Sequence, residues 1–225
     1  ICKCYRDAER GDRHLPEFTM LEWYRPGVDY RYLMRECEEL ICFAAAELGL
    51  GLSVPFRDGI IDLRRPWPVL TVREAFSRFA SLSLDDALRG NVFDETLAFE
   101  IEPHLSGNRP LFLCDYPIAF GSLARARADD PSVAERFELY LGGLEIANAF
   151  SELGDVEEQR DRFAEANDFR AKTGRKACSL PEPFLKALAD MPASAGIALG
   201  VDRLAMILTN SRSIDDVVCF VPEDL

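Results

Sequence analysis

The stretch "AERFELYLGGLEIANAF", Ala134 to Phe150, constrains the fold more than any other segment of the chain. It reads as two antiparallel strands joined by Gly142-Gly143, a pair able to supply the positive φ angles of a tight primed turn. With a two-residue turn, Leu141 faces Leu144, Tyr140 faces Glu145 and Glu138 faces Ala147. A second hairpin opens the chain, with "ICKCYRD" as a strand, "AERGDRH" as a charged loop and "LPEFTMLEWYR" as the returning strand. Long hairpins join antiparallel neighbours, so an α+β architecture, a mainly antiparallel sheet flanked by helices, fits better than a doubly wound parallel one. With 48% of its 225 residues hydrophobic, the chain can bury one sizeable core.

The other segments supply helices and one more strand pair. "DYRYLMRECEELICFAAAELG" has helical spacing and a stop at Gly49 or Gly51. Residues 51–70 look irregular, with "RRPWP" as a turn. Thr71 and Glu74 form a capping-box pattern before "REAFSRFA", and Asp155 with Glu158 repeats it before a polar helix reaching about Thr173. "DETLAFEIEPHL" and "PEPFLKALAD" read as short helices, "PLFLCDYP" as a buried strand, and "GIALG" as a strand running into the helix "VDRLAMILTN".

Charge and cysteine usage narrow the function. Lys and Arg number 26 against 39 acids, a net charge of −13, which repels a phosphate backbone at long range but leaves room for a local basic site. Seven cysteines without a C-x-x-C pair, and only two histidines, argue against zinc and read as buried free thiols of a reducing cytoplasm. The apolar run Leu40 to Ala46 is far too short to cross a bilayer. No signal peptide is visible, while Ile1 as first residue leaves room for a preceding segment.

Three groups of residues could carry chemistry. In the first hairpin, a period of two puts Phe18, Met20, Glu22 and Tyr24 on one strand face, and a half-buried acid there needs a partner, a basic side chain or a ligand. Arg6, Arg13 and His14 at its tip suit a polyphosphate, or are a solvated tip with surface ion pairs. In the second hairpin, Glu138 and Glu145 lie diagonally on one face. Without a Lys or Arg between them they suit a shared divalent cation, or are a polar sheet face. Asn148, Phe150 and Glu152 have the opposite parity, and join the same pocket only if a bulge intervenes near Ala147. In "GIALGVDRL" small residues permit close approach to the strand, and Arg203 projects from the strand-to-helix junction.

Taken in order, these segments resemble one family. "YRD…RHLPEFTMLEWY" is similar to motif 2 of class II aminoacyl-tRNA synthetases, and "FELYLGGLEIANAFSEL" to the strand pair before motif 3. "GIALGVDRLAMILTNSRSIDDVVCF" is similar to motif 3 itself. "DYPIAFGSLAR" fits a segment the family places before the hairpin. Within the family the chain looks most like lysyl-tRNA synthetases, and among them like the shortened paralogue that attaches lysine to elongation factor P.

The resemblance implies ATP and an amino acid on the sheet face, and one catalytic domain over residues 1–225. Arg6 would hold the α-phosphate, with Arg6 and Arg203 as catalytic residues. Asp7, Ala8, Glu9, Arg13, His14 and Leu15 would border the nucleotide. Phe18 and Arg203 would sandwich the adenine, and Glu145, Ile146 and Gly200 would touch the nucleotide. Glu138 and Glu145 would carry Mg²⁺. Glu22, Tyr24 and Glu152 would take the amine of lysine or β-lysine, Asn148 the carboxylate, and Phe150 and Ala198 would line the pocket. The acceptor implied is elongation factor P rather than tRNA, in a cytoplasmic protein whose full-length form is a homodimer; the alternatives are the catalytic core of a true lysyl-tRNA synthetase and a non-catalytic paralogue that binds adenylate.

Four departures qualify this likeness. Ala8 stands where the family has Glu, Leu15 where it commonly has Asn, and Ala198 where lysyl-tRNA synthetases have Gly. The dimer-forming motif 1 and an anticodon-binding barrel are not found before motif 2, so the chain is expected to be a catalytic-domain piece.

Overall fold

The computed structural model describes residues 1–105, 107–121 and 123–224. A seven-stranded sheet has the order β1-β2-β9-β8-β7-β6-β5. The strands are β1 (Cys2–Tyr5), β2 (Glu17–Pro26), β5 (Val69–Thr71), β6 (Leu111–Pro117), β7 (Val133–Leu141), β8 (Leu144–Ser151) and β9 (Ser194–Gly200). Every neighbouring pair is antiparallel except β5 with β6. The expected α+β architecture is therefore the one found.

The hairpin of β7 and β8 closes as its glycines dictate. Gly142 and Gly143 have φ of +57° and +77°, the left-handed values of a primed turn. Leu141 faces Leu144 and Tyr140 faces Glu145, as expected. Beyond that point the register differs. Glu138 faces Asn148 rather than Ala147, because Ile146 is an extra residue on β8 opposite the step from Leu139 to Tyr140. This is the bulge expected near Ala147, and it turns Asn148 and Phe150 to the face of Glu145.

The underside of the sheet packs on the main core. Leu21 and Trp23 of β2, Ala195, Ile197 and Leu199 of β9, and Phe137, Leu139 and Leu141 of β7 all point there. Against them lies α1 (Tyr30–Glu47), whose Leu33, Cys37, Ile41 and Ala45 are spaced at four residues and form one stripe. Asp29 caps its N-terminus by accepting from Tyr32 N at 3.1 Å, and Gly49, at φ +74°, ends it. α7 (Val201–Leu208) closes the same layer with Met206 and Ile207.

Residues 51–70 are not irregular as expected. They form a small hairpin of β3 (Ser53–Phe56) and β4 (Gly59–Asp62), followed by β5. Phe56 and Ile61 of this hairpin cover the Gly142 turn: a Cβ on Gly142 would stand 2.7 Å from Phe56 Cδ1 and 3.0 Å from Ile61 Cδ1. Gly142→Ala combines left-handed strain with overpacking, so urea unfolding should show a loss of about 2–3 kcal/mol.

A second core lies over β5 and β6. It is built by α2 (Val72–Phe79), α3 (Leu84–Arg89), which sequence reading missed, and α4 (Phe93–Thr96), continued by a π-helical turn and a 3₁₀ turn to Leu105. The capping box of Thr71 and Glu74 is present in both directions. Asp155 caps α5 (Val156–Lys172) by accepting from Glu157 N and Glu158 N. Glu158 does not return the bond but pairs with Arg162. The last helix of the set is α6 (Glu182–Leu188). "DYPIAFGSLAR" ends β6 and enters a 3₁₀ turn, and its Ser122 lies outside the described residues.

The cysteines are free, but only Cys37 and Cys114 are buried. Cys2, Cys178 and Cys219 are exposed. Among the described residues, no helix is long and apolar enough to cross a membrane.

Candidate active site

On the side of the sheet away from α1, the strands β2, β9 and β8 floor an open cleft of about 240 Å³. Alternation decides which side chains reach it. Phe18, Met20, Glu22 and Tyr24 of β2 do so, while Leu21 and Trp23 go to the core. The expected burial of this acid and phenol is not found: Glu22 is exposed and Tyr24 is 60% exposed, because nothing roofs this end of the sheet.

At one end the hairpin loop bends over the cleft. Arg6 stands 5.3 Å above the Phe18 ring and pairs with Glu9 at 3.5 Å. Ala8 is left-handed, φ +61°, and this turn lets Glu9 border the cleft while Asp7 and Ala8 do not. Arg13, His14 and Leu15 close the wall. Leu15 is buried in the main core, so its side chain anchors the loop.

Arg203 ties this loop to the second hairpin. Its Nη1 donates to Glu145 O at 2.8 Å and reaches Glu145 Oε2 at 3.5 Å, and its Nε donates to Arg13 O at 3.2 Å. Nη2 lies 2.6 Å from His14 Nε2. Burial, and then the Arg203 charge, lower the pKa of His14, so the ring is neutral and accepts this bond. Asp202, unnoticed in the sequence, accepts from Thr19 N at 2.6 Å and holds β2 against the start of α7.

The second hairpin supplies the acids. Burial and the nearby charge of Glu138 push Glu145 up to about 7, against the pull of Arg203. Glu138 is not free to share a cation equally. Arg136 Nη2 donates to its Oε1 at 2.6 Å, and the hydroxyls of Tyr116 and Tyr140 donate to its Oε2 at 2.7 and 2.9 Å. No Lys or Arg of the described residues stands between the two acids on the strands, but each has a cation beside it: Arg136, two residues before Glu138 on the same strand face, pairs with Glu138, and Arg203 reaches Glu145. Among the described residues no group of three or more His, Cys, Asp or Glu is arranged to hold a metal ion. Glu145 fits a divalent cation, since its crowded carboxylate gains from an added positive charge, and Glu138 stands behind it.

Arg136 has a further effect. Its Nε donates to Asn148 Oδ1 at 3.2 Å, which leaves the Asn148 amide N–H groups as the donors available to the cleft. Beyond Asn148 come Phe150 and Glu152. Burial alone pushes Glu152 up to about 7, and among the described residues its carboxylate has no hydrogen-bond or ion-pair partner. Tyr24 borders the same corner, its pKa raised by burial and by the charges of Glu152 and Glu22. Ala198 is level with Glu22 on one side and Asn148 on the other, and Gly200 and Ile146 lie towards Arg203.

The cleft therefore brings together all the expected site residues except Asp7, Ala8 and Glu138. Gly196, Asp202 and Arg136 were missed. The period of two could have found Arg136, whereas the other two depend on contacts between elements distant in sequence.

Comparison with known proteins agrees with this geometry. Residues 1–224 match the family described as tRNA synthetases class II (D, K and N). The chain is 38% identical over 243 residues to a lysine–tRNA ligase of Dehalococcoides mccartyi, covering 98% of this chain and 48% of that protein. It is 38% identical over 253 residues to a lysine–tRNA ligase of Anaeromyxobacter sp., covering 98% and 49%. It is 37% identical over 226 residues to an elongation factor P–(R)-β-lysine ligase of Edwardsiella ictaluri, covering 98% and 70%. The chain spans about half the length of the lysine–tRNA ligases it matches. With the motif residues gathered around one cleft and the match running nearly end to end, the chain belongs to the class II tRNA synthetases of the D, K and N group.

Proposed function

We propose that the cleft activates lysine or β-lysine with ATP as an aminoacyl-adenylate and passes the acyl group to a lysine amine of elongation factor P. The observation that carries this reading is the pairing of two ends in one cleft. Arg6, Arg13 and Arg203 form a cationic end, and Glu152, Glu22 and Tyr24 form an anionic end of the same cleft. A molecule that is anionic on one side and an ammonium on the other satisfies both. The acceptor is suggested by the likeness to the elongation factor P–(R)-β-lysine ligase, which aligns with few gaps over 226 residues, beside lysine–tRNA ligases of equal identity.

The residues divide the work by position. Phe18 and Arg203 face the base, where a guanidinium stacks well. Arg6 stands where the α-phosphate and the amino-acid carboxylate meet, and Arg13 and His14 reach the outer phosphates. Asn148 donates to the carboxylate and holds it for in-line attack on the α-phosphorus. That attack forms the acyl–phosphate bond and expels pyrophosphate, and the cationic side chains stabilise the charge on the phosphate oxygens. In the second step the acceptor amine attacks the acyl carbon and AMP leaves. Mg²⁺ would sit against Glu145, with Glu138 behind, and supplies charge neutralisation of the phosphates when bound.

Ala198 separates the two ends of the substrate. Its methyl, between Glu22 and Asn148, crowds the α-carbon side of the pocket and favours a β-amino acid. Exchange rates should therefore be higher with β-lysine than with α-lysine, and a preference for α-lysine would defeat this assignment.

The activity should also depend on pH. Glu152 must be charged to receive an ammonium, and it titrates near 7 in the free protein, with Glu145 in the same range. kcat/KM for lysine should rise roughly tenfold per unit up to about pH 7 and level off above it.

The acceptor is tested by incubating the intact protein with labelled lysine, ATP and either tRNA or elongation factor P. Label on the factor supports the proposal. Label on tRNA alone makes the protein a lysine–tRNA ligase, and pyrophosphate exchange without an acceptor product leaves only the activation step.

A further inference from the structure

Gly196 lies level with Tyr24 of β2 and Phe150 of β8, at the anionic end of the cleft. Glycine is not needed there for backbone reasons, since its φ is not among the left-handed values. It is needed for space. A Cβ on Gly196 would collide with Glu152 Oε1 and stand 2.6 Å from Tyr24 Cε1. The other cleft-facing positions of β9 differ: Ala198 already carries a methyl, and a Cβ on Gly200 would meet nothing closer than 3.8 Å. Of these positions, only Gly196 has its side-chain volume filled by the groups that face the substrate.

We infer that Gly196 is the specificity-determining position for the substrate's charge. Its missing side chain lets the Glu152 carboxylate settle onto the sheet beside the Tyr24 ring. There the carboxylate is half-buried and borders the cleft. A carboxylate held low has lost part of its hydration before the substrate arrives, so an ammonium gains more from it than from a solvated acid. A neutral chain of equal length gains nothing and leaves the acid unpaired. A methyl at 196 would lift Glu152 into solvent, where its attraction for a cation is screened. The inference rests on the proposed reading of the cleft as a lysine-activating site, and Gly196 acts through Glu152 as a positioning residue.

The test compares the intact protein with its Gly196→Ala variant. Calorimetry measures binding of lysine against 2-aminoheptanoic acid, in which a methyl group replaces the terminal amine. Pyrophosphate exchange gives the same preference in kcat/KM. In Gly196→Ala the preference for lysine should fall about 30-fold, carried mainly by KM, while ATP affinity measured without amino acid stays unchanged. Adding Glu152→Asp to Gly196→Ala shortens the acid by one methylene and should restore at least part of the preference. An undiminished preference in Gly196→Ala would overturn the inference. So would failure of the double variant to recover preference, or folding if the single variant misfolds. A wild-type protein that binds lysine selectively but exchanges no pyrophosphate would sink the functional reading and leave this one standing.

Discussion

Glu152→Gln should raise the KM for lysine by roughly two orders of magnitude while leaving ATP affinity in place. The carboxylate stands in a partly desolvated corner with no partner among the described residues, so the substrate ammonium would be its only counter-charge. Removing one member of such a pair typically costs about 3 kcal/mol, which is roughly 150-fold in affinity. The same substitution should stabilise the unliganded protein at pH 8. Burial raises the Glu152 carboxyl to about 7 from an ordinary 4.5, so the folded state holds its proton where the unfolded chain has lost it. This group therefore makes no contribution below pH 4.5. It destabilises the fold progressively from about 4.5 to 7, and above 7 the full cost is present. Glutamine removes that cost. Thermal melts at pH 4 and pH 8, set beside exchange kinetics, should show higher stability at pH 8 only, together with lost lysine affinity. Equal KM values in the two proteins would remove Glu152 from the amine end.

Arg203→Lys should lower kcat/KM for ATP by about 10²–10³ without unfolding the protein. The guanidinium spans Glu145 O, the Glu145 carboxylate, Arg13 O and His14 Nε2 at once, and in the proposed reading its plane stacks on the base. Lysine keeps the charge but has neither the fork nor the stacking plane, so the loss measures geometry rather than electrostatics. Arg203 joins Arg13 and His14 of the loop to Glu145 beside the β7–β8 turn, next to the bond from Arg13 to Gly143 O, so the loop should also become more mobile, with faster amide exchange around Arg13. Retained ATP affinity in this variant would show that the cationic end is not built on Arg203.

How much of this was legible in the sequence depends on whether the signal was local. The Gly142-Gly143 turn, the alternation of β2 and the helix stop at Gly49 are set by backbone preference and period, and the structure has them all. The bulge near Ala147 is required by the parity of Asn148 and Phe150 and is found at Ile146, the exact residue being fixed by the pairing to β7. The hairpin of β3 and β4 was lost for another reason. Its strands have four residues each and Pro55 interrupts one of them, so the hairpin forms against the Gly142 turn rather than from its own pattern. In the site, Glu9 reaches the cleft only because Ala8 adopts a left-handed conformation that its residue type does not announce. Gly196 reads as one small residue among several in "GIALG", and its purpose is visible only with Glu152 and Tyr24 beside it.

The central claim is that a cationic end and an unpaired acid share one cleft so that a nucleotide and an aliphatic diamine react there. Amino-acid-dependent ATP–pyrophosphate exchange by the intact protein, screened over lysine, β-lysine and 2-aminoheptanoic acid, tests it most directly. The account predicts exchange with a lysine isomer and almost none with the neutral analogue. Exchange with neither isomer, or equal exchange with all three, would contradict it.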